Sequence, residues 1–200
     1  RRRHTRCQIQ SRGLGDVYKR QVLLNLHNAG FFALDDTILA MGLFYGGLAQ
    51  IIAGIMEFRK GNTFGLTAFT SYGFFWLSFV AIVQFGEADQ DFLGWYLFLW
   101  GVFTAYMFLA TLNKNRALQV VFFSLATLFF LLAIAHWTDS TVLTEVAGWV
   151  GIFTGASAIY LAAAEVLNET YGKEILPIGT IPMKGHPDFR TSSNVEDAGV

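Results

Sequence analysis

The sequence predicts an all-α membrane protein, a bundle of six transmembrane helices of which the first is truncated or replaced. Of the 200 residues, 54% are hydrophobic and only 14% are charged, whereas soluble proteins average about 25% charged residues. The apolar residues also stand in runs of about 20, the length that crosses a hydrocarbon core about 30 Å thick. Runs of this length with so few interruptions exclude a soluble core.

Five apolar segments are long enough to span a bilayer. They are Ile38–Phe58, Gly65–Phe85, Phe92–Leu112, Ala117–Trp137 and Glu145–Leu167. A further apolar run, VLLNLHNAGFFAL at residues 22–34, has only 13 residues and matches the second half of a first helix. We therefore expect a transmembrane domain at 22–167 and a cytoplasmic tail at 168–200.

The first 21 residues differ from everything that follows. They hold half of the 14 basic residues and meet the apolar sequence at Val22 without turn or linker chemistry. They also lack the apolar region and cleavage site of a secretory signal. The segment SRGLGDVYKRQ resembles translated sequencing adapter. We favour an artefact that replaces the front half of helix 1 over a disordered basic arm.

Basic residues alternate between the predicted loops. They follow the second, fourth and sixth spans, as Arg59 and Lys60, Lys114 and Arg116, and Lys173 and Lys184. The loops between these contain acidic residues but neither Lys nor Arg. Because short cytoplasmic loops collect Lys and Arg, we expect a multi-pass protein of the cell (inner) membrane with both termini in the cytoplasm.

Two pairs of glycines at four-residue spacing predict close helix contacts. Gly42 and Gly46 form one GxxxG pair, and Gly151 and Gly155 form the other. Small residues at this spacing let helix backbones approach in lipid, where no hydrophobic force drives helices together. Together the two pairs favour a tight bundle.

No sequence motif indicates catalysis, a cofactor or a metal. There is no Walker loop, GxSxG elbow, HExxH or HxE with CxxC, the patterns that carry such chemistry. Cys7 is the single cysteine, and His27 and His136 have no second ligand at metal spacing. We expect neither an enzyme nor a nucleic-acid partner.

The spans contain neutral polar residues and no ionisable residue at mid-depth, where such a residue would mark a functional site. Glu57 and Glu165 lie near helix ends, from which a side chain can reach the interface, so a pump built on a central carboxylate is disfavoured. The weaker candidates for lining a solute path are Asn25, Gln50, Thr67, Thr70, Ser71, Trp76 and Thr104.

A stripe of hydroxyl residues that includes Thr67, Thr70 and Ser71 follows one face of the third span. This face predicts a polar border to a path. Hydroxyls that bond to the carbonyls of the preceding turn would explain it equally well. A path with hydroxyls, an amide and aromatic rings, but no fixed cation, holds a solute weakly enough for release.

Longer motifs identify a family. VLLNLHNAGFFALDDTILAMGLFYGGLAQIIAGIMEF, RKGNTFGLTAFTSYGFFW, AGWVGIFTGASAIYLAAAEVLNE and YGKEILPIG resemble the acetate uptake transporter family over about residues 22–179. The resemblance implies six helices per protomer and a homohexameric ring in the lipid bilayer. It also implies a path for acetate and succinate through each protomer, channel-like or proton-coupled.

The family also implies an apolar constriction built from three residues. Tyr72 within TSYG and Leu125 within FFSL match two of them. The third, a phenylalanine in the family, aligns with Val17 inside the basic segment, and the Asn-Pro-Ala-Pro motif of the first helix is missing from the same segment. The chain therefore departs from the family in the first half of helix 1.

The main interpretation is a permease for small carboxylates with Tyr72 and Leu125 at its narrow point. Two alternatives stay open on the residues alone. One is a channel for a neutral solute such as water, glycerol or ammonia, and the other is a membrane sensor or assembly protein that transports nothing. Proton coupling and passive conduction, and preference for acetate or succinate, are equally open.

Overall fold

The structure, a computed structural model, describes residues 24–31, 33, 35–86 and 89–181. A short helix α1 occupies residues 24–28. The long helices that follow are α2 (Asp36–Arg59), α3 (Thr63–Phe85), α4 (Gln90–Thr111), α5 (Arg116–Thr138) and α6 (Thr141–Tyr171). The predictions made for residues 1–21, Val17 among them, and for residues 182–200 lie outside the described residues.

The five long helices confirm the five full spans. Each is long and apolar enough to cross a membrane, and each matches a predicted span to within four residues at either end. Large apolar side chains such as Phe44, Ile52, Phe74 and Phe123 remain exposed on the outer faces of the bundle. Because lipid tails are as apolar as these side chains, such a surface suits a multi-pass membrane protein.

A polar side chain caps the start of every long helix. The first turn of a helix has N–H groups without partners inside the helix. Here they are met by Asp35, Asn62, Asp89, Asn115 and Ser140, whose side-chain oxygens accept hydrogen bonds from backbone N–H groups at 2.7–3.3 Å. The hydrogen bonds from Thr37 hold the pKa of Asp35 below its ordinary value. These caps fix where each span begins.

The helices pack as two groups. In one group α2 lies along α3, and in the other α5 lies between α4 and α6, whereas α3 and α4 approach closely over only a few residues. Side-chain hydrogen bonds bridge α3 and α4: Tyr72 Oη donates to Thr104 Oγ1 at 2.9 Å, and the hydroxyls of Ser78 and Tyr96 lie 2.7 Å apart. The wide spacing of α3 and α4 leaves room for a cavity within the bundle.

Glycines bring α2 and α3 together, and α1 and α6. A Cβ added at Gly42 would lie 2.9 Å from the Val80 side chain, and one added at Gly151 would clash with Asn25. Gly54 is equally tight, because its Cβ would lie 3.0 Å from the backbone N of Thr70. Close contacts therefore occur at one member of each predicted pair and also at Gly54, which no paired motif indicated.

Residues 172–181 fold back against the loop that precedes α5. Gly172 ends α6 in the left-handed region, with φ of 64°. The Asn168 side chain then accepts from the backbone N of Leu176 at 2.9 Å and donates to its carbonyl at 2.7 Å. Thr180 pairs with Asn115 in an isolated antiparallel bridge. This part of the tail is attached to the bundle.

We expect Gly54→Leu to destabilise the α2–α3 pair. The new side chain would meet backbone atoms of α3, which cannot move aside as a side-chain end can, and overpacking of this kind costs about 1–3 kcal/mol. Denaturant unfolding in detergent, followed by circular dichroism, measures the loss. Ala40→Leu, on an exposed part of α2, is the matched control, and equal midpoints for the two variants would contradict the close packing.

Candidate functional site

A cavity of about 390 Å³ lies between α3 and α5. On α5 its lining recurs every three or four residues from Leu118 to His136, which is one helix face. On α3 it runs from Phe64 to Phe79 in the same way. Leu118 and His136 are 18 residues apart, about 27 Å at 1.5 Å per residue. The cavity therefore extends across most of a hydrocarbon core about 30 Å thick.

Aromatic and aliphatic side chains line the middle of the cavity. Tyr72 and Leu125 are both in the lining. The Tyr72 ring lies 5.4 Å from the Phe103 ring and 6.2 Å from the Phe122 ring, measured between centroids. The Tyr72 hydroxyl donates to Thr104 Oγ1, so its proton is directed towards α4. Tyr72 thus contributes an aromatic ring to the lining, and its hydrogen bond to Thr104 of α4 fixes the position of that ring.

Thr104 supports Tyr72 from outside the lining. It is fully buried, at 0% exposed, and its hydroxyl donates to the Trp100 carbonyl at 2.7 Å. Its oxygen can therefore accept the hydrogen bond from Tyr72 while its own proton is donated to Trp100. Of the sequence candidates, Thr104 is the one connected to the cavity through another side chain.

The remaining candidates divide between the lining and the rest of α3. Asn25, Gln50 and Trp76 line the cavity. The lining does not include Thr67, Thr70 or Ser71, which were expected to border a path.

The hydroxyl stripe has a structural explanation. The Thr70 hydroxyl donates to the Leu66 carbonyl, and Thr70 Oγ1 would lie 2.9 Å from a Cβ at Gly54 of α2. The hydroxyl of Ser78 likewise donates into its own helix, 2.8 Å from the Phe74 carbonyl. The face of α3 that meets the cavity is the aromatic one. In the sequence, this face is marked by aromatic and small residues that recur every three or four positions. Ordinary helix cores show the same recurrence, so the pattern alone does not indicate a cavity.

A partly buried ion pair lies where α2 turns into α3. Glu57 was expected to reach the interface from the end of its helix, but it is only 2% exposed. Its Oε1 lies 3.0 Å from Lys60 Nζ, and its Oε2 accepts from Asn62 Nδ2 at 2.6 Å. The turn after α2 therefore covers the carboxylate and supplies both of its partners.

Ionisable and polar side chains lie at the ends of the cavity. We call these the Lys114 end and the His136 end. At the Lys114 end, the Lys114 ammonium lies 4.7 Å from the centroid of the Phe64 ring, a cation–π contact. Glu165 also lines the cavity, half-buried and six residues before the end of α6. At the other end, His136 Nδ1 lies 2.5 Å from Gln90 Oε1.

Among the described residues, the amide oxygen of Gln50 is buried without a hydrogen-bond partner. Gln50 is 4% exposed, and its Oε1 makes no hydrogen bond within the part of the chain that the structure describes. A π-helical stretch of α2, Gly42–Ala49, ends directly before it. Such wide turns within α-helices are frequent at functional sites. Nearly all buried polar groups in proteins are hydrogen-bonded, so the Gln50 amide oxygen is an exception among the described residues.

A membrane-spanning bundle whose cavity has polar groups at both ends and mainly aromatic and aliphatic side chains between them has the form of a protein that passes small solutes. The chain belongs to the GPR1/FUN34/yaaH family, whose sequence profile matches residues 21–183. This match confirms the family indicated by the motifs.

The relatives include proteins named as transporters. The succinate-acetate/proton symporter SatP of Escherichia coli K12 is 60% identical over 164 residues, covering 79% of this chain and 87% of the relative. The ammonia transport outward protein 2 of Saccharomyces cerevisiae is 35% identical over 167 residues, covering 77% of this chain and 59% of the relative.

A solved structure has the same fold. The structure of the bacterial acetate channel SatP matches this chain with a TM-score of 0.83 and 56% sequence identity. The match covers 86% of this chain and 98% of that one. The all-helical membrane fold predicted from the sequence is thereby confirmed.

The Tyr72–Thr104 hydrogen bond predicts a measurable coupling. We expect Tyr72→Phe to lower the free energy of unfolding by about 1 kcal/mol, the contribution of a typical hydrogen bond. In a Thr104→Val background the same change should cost less, because the partner is already gone. Denaturant unfolding of the four-member cycle in detergent gives the coupling. Tyr106→Phe, at an exposed tyrosine of α4, is the control, and additive costs would contradict the bond.

Proposed function

We propose that this chain transports acetate and succinate across the membrane through the cavity between α3 and α5. The observation that carries the proposal is the lining, which has polar groups at both ends, mainly aromatic and aliphatic side chains between them, and a length that covers most of the hydrocarbon core. Identity of 60% to a succinate-acetate/proton symporter and likeness to an acetate channel support the choice of solute.

In this proposal Tyr72 and Leu125 form the narrow point of the path. Tyr72 lies on α3 and Leu125 on α5, and both side chains line the cavity. Tyr72 contacts Phe122, which precedes Leu125 by about one helical turn, so the two are at similar depth. An apolar ring of this kind can close by losing its water and open when a solute with an apolar end enters.

The cavity ends suit an acidic solute. The Lys114 ammonium at one end attracts carboxylates from solution and raises their local concentration. Basic residues in the loops after α2 and α4 favour the cytoplasm for this end. We extend the proposal to a cell (inner) membrane protein with both termini cytoplasmic. The exposed aromatic faces of the bundle suit contact between protomers of a homohexamer.

A second candidate is a channel for a neutral solute, in particular ammonia. The name of the yeast relative is the observation that favours it. The apolar middle of the cavity would pass ammonia as readily as a neutral acid. A stopped-flow measurement of ammonia entry into loaded proteoliposomes, set beside acetate uptake, separates the two candidates.

The deciding experiment is radiolabelled acetate uptake by proteoliposomes. The full chain is measured beside a version whose residues 1–21 are replaced by the first-helix sequence of the E. coli relative. We expect the replaced version to carry acetate above the protein-free leak and the full chain to carry less, because Val17 stands where the family has a phenylalanine. If neither version carries acetate or succinate while both are folded and inserted, the chain is not a carboxylate transporter.

Leu125→Ala should broaden the range of carboxylates carried. Truncating a side chain at the narrow point widens it, so the uptake of butyrate relative to acetate should rise several-fold, since one methylene is worth about 1–3 kcal/mol in an apolar pocket. Leu99→Ala, at a position 65% exposed on α4, is the control. An unchanged ratio at normal expression would count against Leu125 as part of the constriction.

A further inference from the structure

Residues 176–181 form a strap that runs from α6 to the loop before α5. On α6 the Asn168 side chain accepts from the backbone N of Leu176 at 2.9 Å and donates to the Leu176 carbonyl at 2.7 Å. The Tyr160 hydroxyl, also on α6, donates to the Pro177 carbonyl at 2.7 Å. These two side chains hold the first part of the strap on α6, and we call them the clamp.

The second part of the strap is attached at the start of α5 by backbone hydrogen bonds. Three such bonds, at 3.0–3.2 Å, join the pairs Arg116 and Gly179, Ala117 and Ile178, and Ile181 and Lys114. Between them Asn115 lies opposite Thr180 in the isolated antiparallel bridge. We call these backbone hydrogen bonds the latch.

The latch holds the strap at the Lys114 end of the cavity. Thr180 is part of the lining, as are Lys114 and Asn115 beside it. Ile178 packs against the apolar cluster of the bundle. With the latch formed, the strap therefore supplies part of the wall at this end of the cavity.

Little apolar burial holds the strap in place. Pro177, Gly179 and Thr180 are exposed, and Leu176 and Ile181 are only half-buried. Segments with few buried apolar contacts and solvent-exposed backbone hydrogen bonds open at a free energy well below that of global unfolding. The latch can therefore open while the helices stay packed, and the clamp then keeps the strap on α6.

We propose that the strap is a gate at the Lys114 end of the cavity, separate from the narrow point at Tyr72 and Leu125. When the latch is closed, Thr180 narrows the entrance. When the latch opens, the strap moves away from α5 and the entrance widens. The gate thereby limits the rate at which solutes enter or leave at this end. This inference rests on the proposed function, because it takes the cavity to be the path of the solute.

A disulfide between positions 115 and 180 locks the strap. The latch hydrogen bonds flank this pair, which makes it a non-hydrogen-bonded pair with Cα atoms about 4.5 Å apart. Disulfides bridge Cα atoms at this separation. Asn115→Cys with Thr180→Cys is made together with Cys7→Ser, because Cys7 is the single cysteine of the chain. We expect oxidation to lower the initial rate of acetate uptake by proteoliposomes several-fold and reduction to restore it.

The locked variant has a direct control. Thr180→Cys alone, with Cys7→Ser and the same oxidant and reductant, should carry acetate at one rate throughout. Mass spectrometry establishes whether the disulfide has formed. A formed disulfide that leaves uptake unchanged would overturn the inference, and so would two cysteines that fail to pair, because the bridge that positions the strap would then be absent.

Gly179→Val should open the latch. Gly179 has φ of 65°, where a residue with a side chain is strained, and a Cβ there would lie 2.9 Å from Arg116 Cβ. We expect the latch to open about tenfold more often. The measurement is the rate at which a water-soluble maleimide labels Leu118→Cys, a lining position at the same end, in detergent. This rate should rise by up to about tenfold.

Labelling of Leu132→Cys is the matched control, because Leu132 lines the cavity towards the His136 end. Its rate should be the same with and without Gly179→Val, which also shows that the bundle remains folded. Lys173→Val, at an exposed position before the strap, should leave both labelling rates unchanged. Equal labelling of Leu118→Cys with and without Gly179→Val would contradict the gate.

The outcomes separate this inference from the proposed function, because labelling does not depend on transport. The uptake variants are made in whichever version of the chain, full or with residues 1–21 replaced, carries acetate. Equal uptake with the strap locked and released overturns the gate and leaves carboxylate transport standing. Faster labelling of Leu118→Cys in a chain that carries neither acetate nor succinate overturns carboxylate transport and supports the gate for a different solute.

Discussion

The hydrocarbon core of a bilayer supplies no hydrogen bonds, and the rest of this structure depends on that constraint. Every backbone group at membrane depth must be satisfied within the protein, which the long helices achieve. Their starts are capped by Asx and serine side chains, and inner hydroxyls such as those of Thr70 and Thr104 donate to carbonyls of their own helices. Within the described part of the chain, the buried amide oxygen of Gln50 is an exception, since it has no hydrogen-bond partner there.

The two faces of α3 have different roles in the bundle. The side with Thr70 and Gly73 packs against α2, where small residues allow close approach. The side with Tyr72 and Trp76 lines the cavity. Hydroxyls can bond within their own helix and need no solute, so a polar stripe is compatible with a tight interface. Aromatic rings cannot interlock as closely, so the face that carries them leaves an opening towards α5.

Much of the fold could be predicted from the sequence because bilayer thickness sets the helix length, and Asp, Asn and Ser mark the helix starts. Tyr72, Leu125 and Gln50 were candidates from the sequence, and all three line the cavity. Which way the hydroxyl stripe faces could not be predicted, since periodicity shows which residues share a face but not what that face meets. Burial of Glu57 depends on the turn at Lys60 and Asn62, and the conformation of that turn has no signature in the hydropathy of the helices.

Asn62 has two partners that belong to different helices. Its Oδ1 accepts from the Gly65 backbone at the start of α3, while its Nδ2 donates to the Glu57 carboxylate at the end of α2. One amide thus caps the start of one span and donates a hydrogen bond to the carboxylate at the end of the other. At position 62, aspartate could accept the cap hydrogen bond but would repel the Glu57 carboxylate. Lysine could pair with Glu57 but could not accept the cap hydrogen bond. Among the twenty amino acids very few offer both functions at this length, so this half-buried loop position has the mutational tolerance of a core residue.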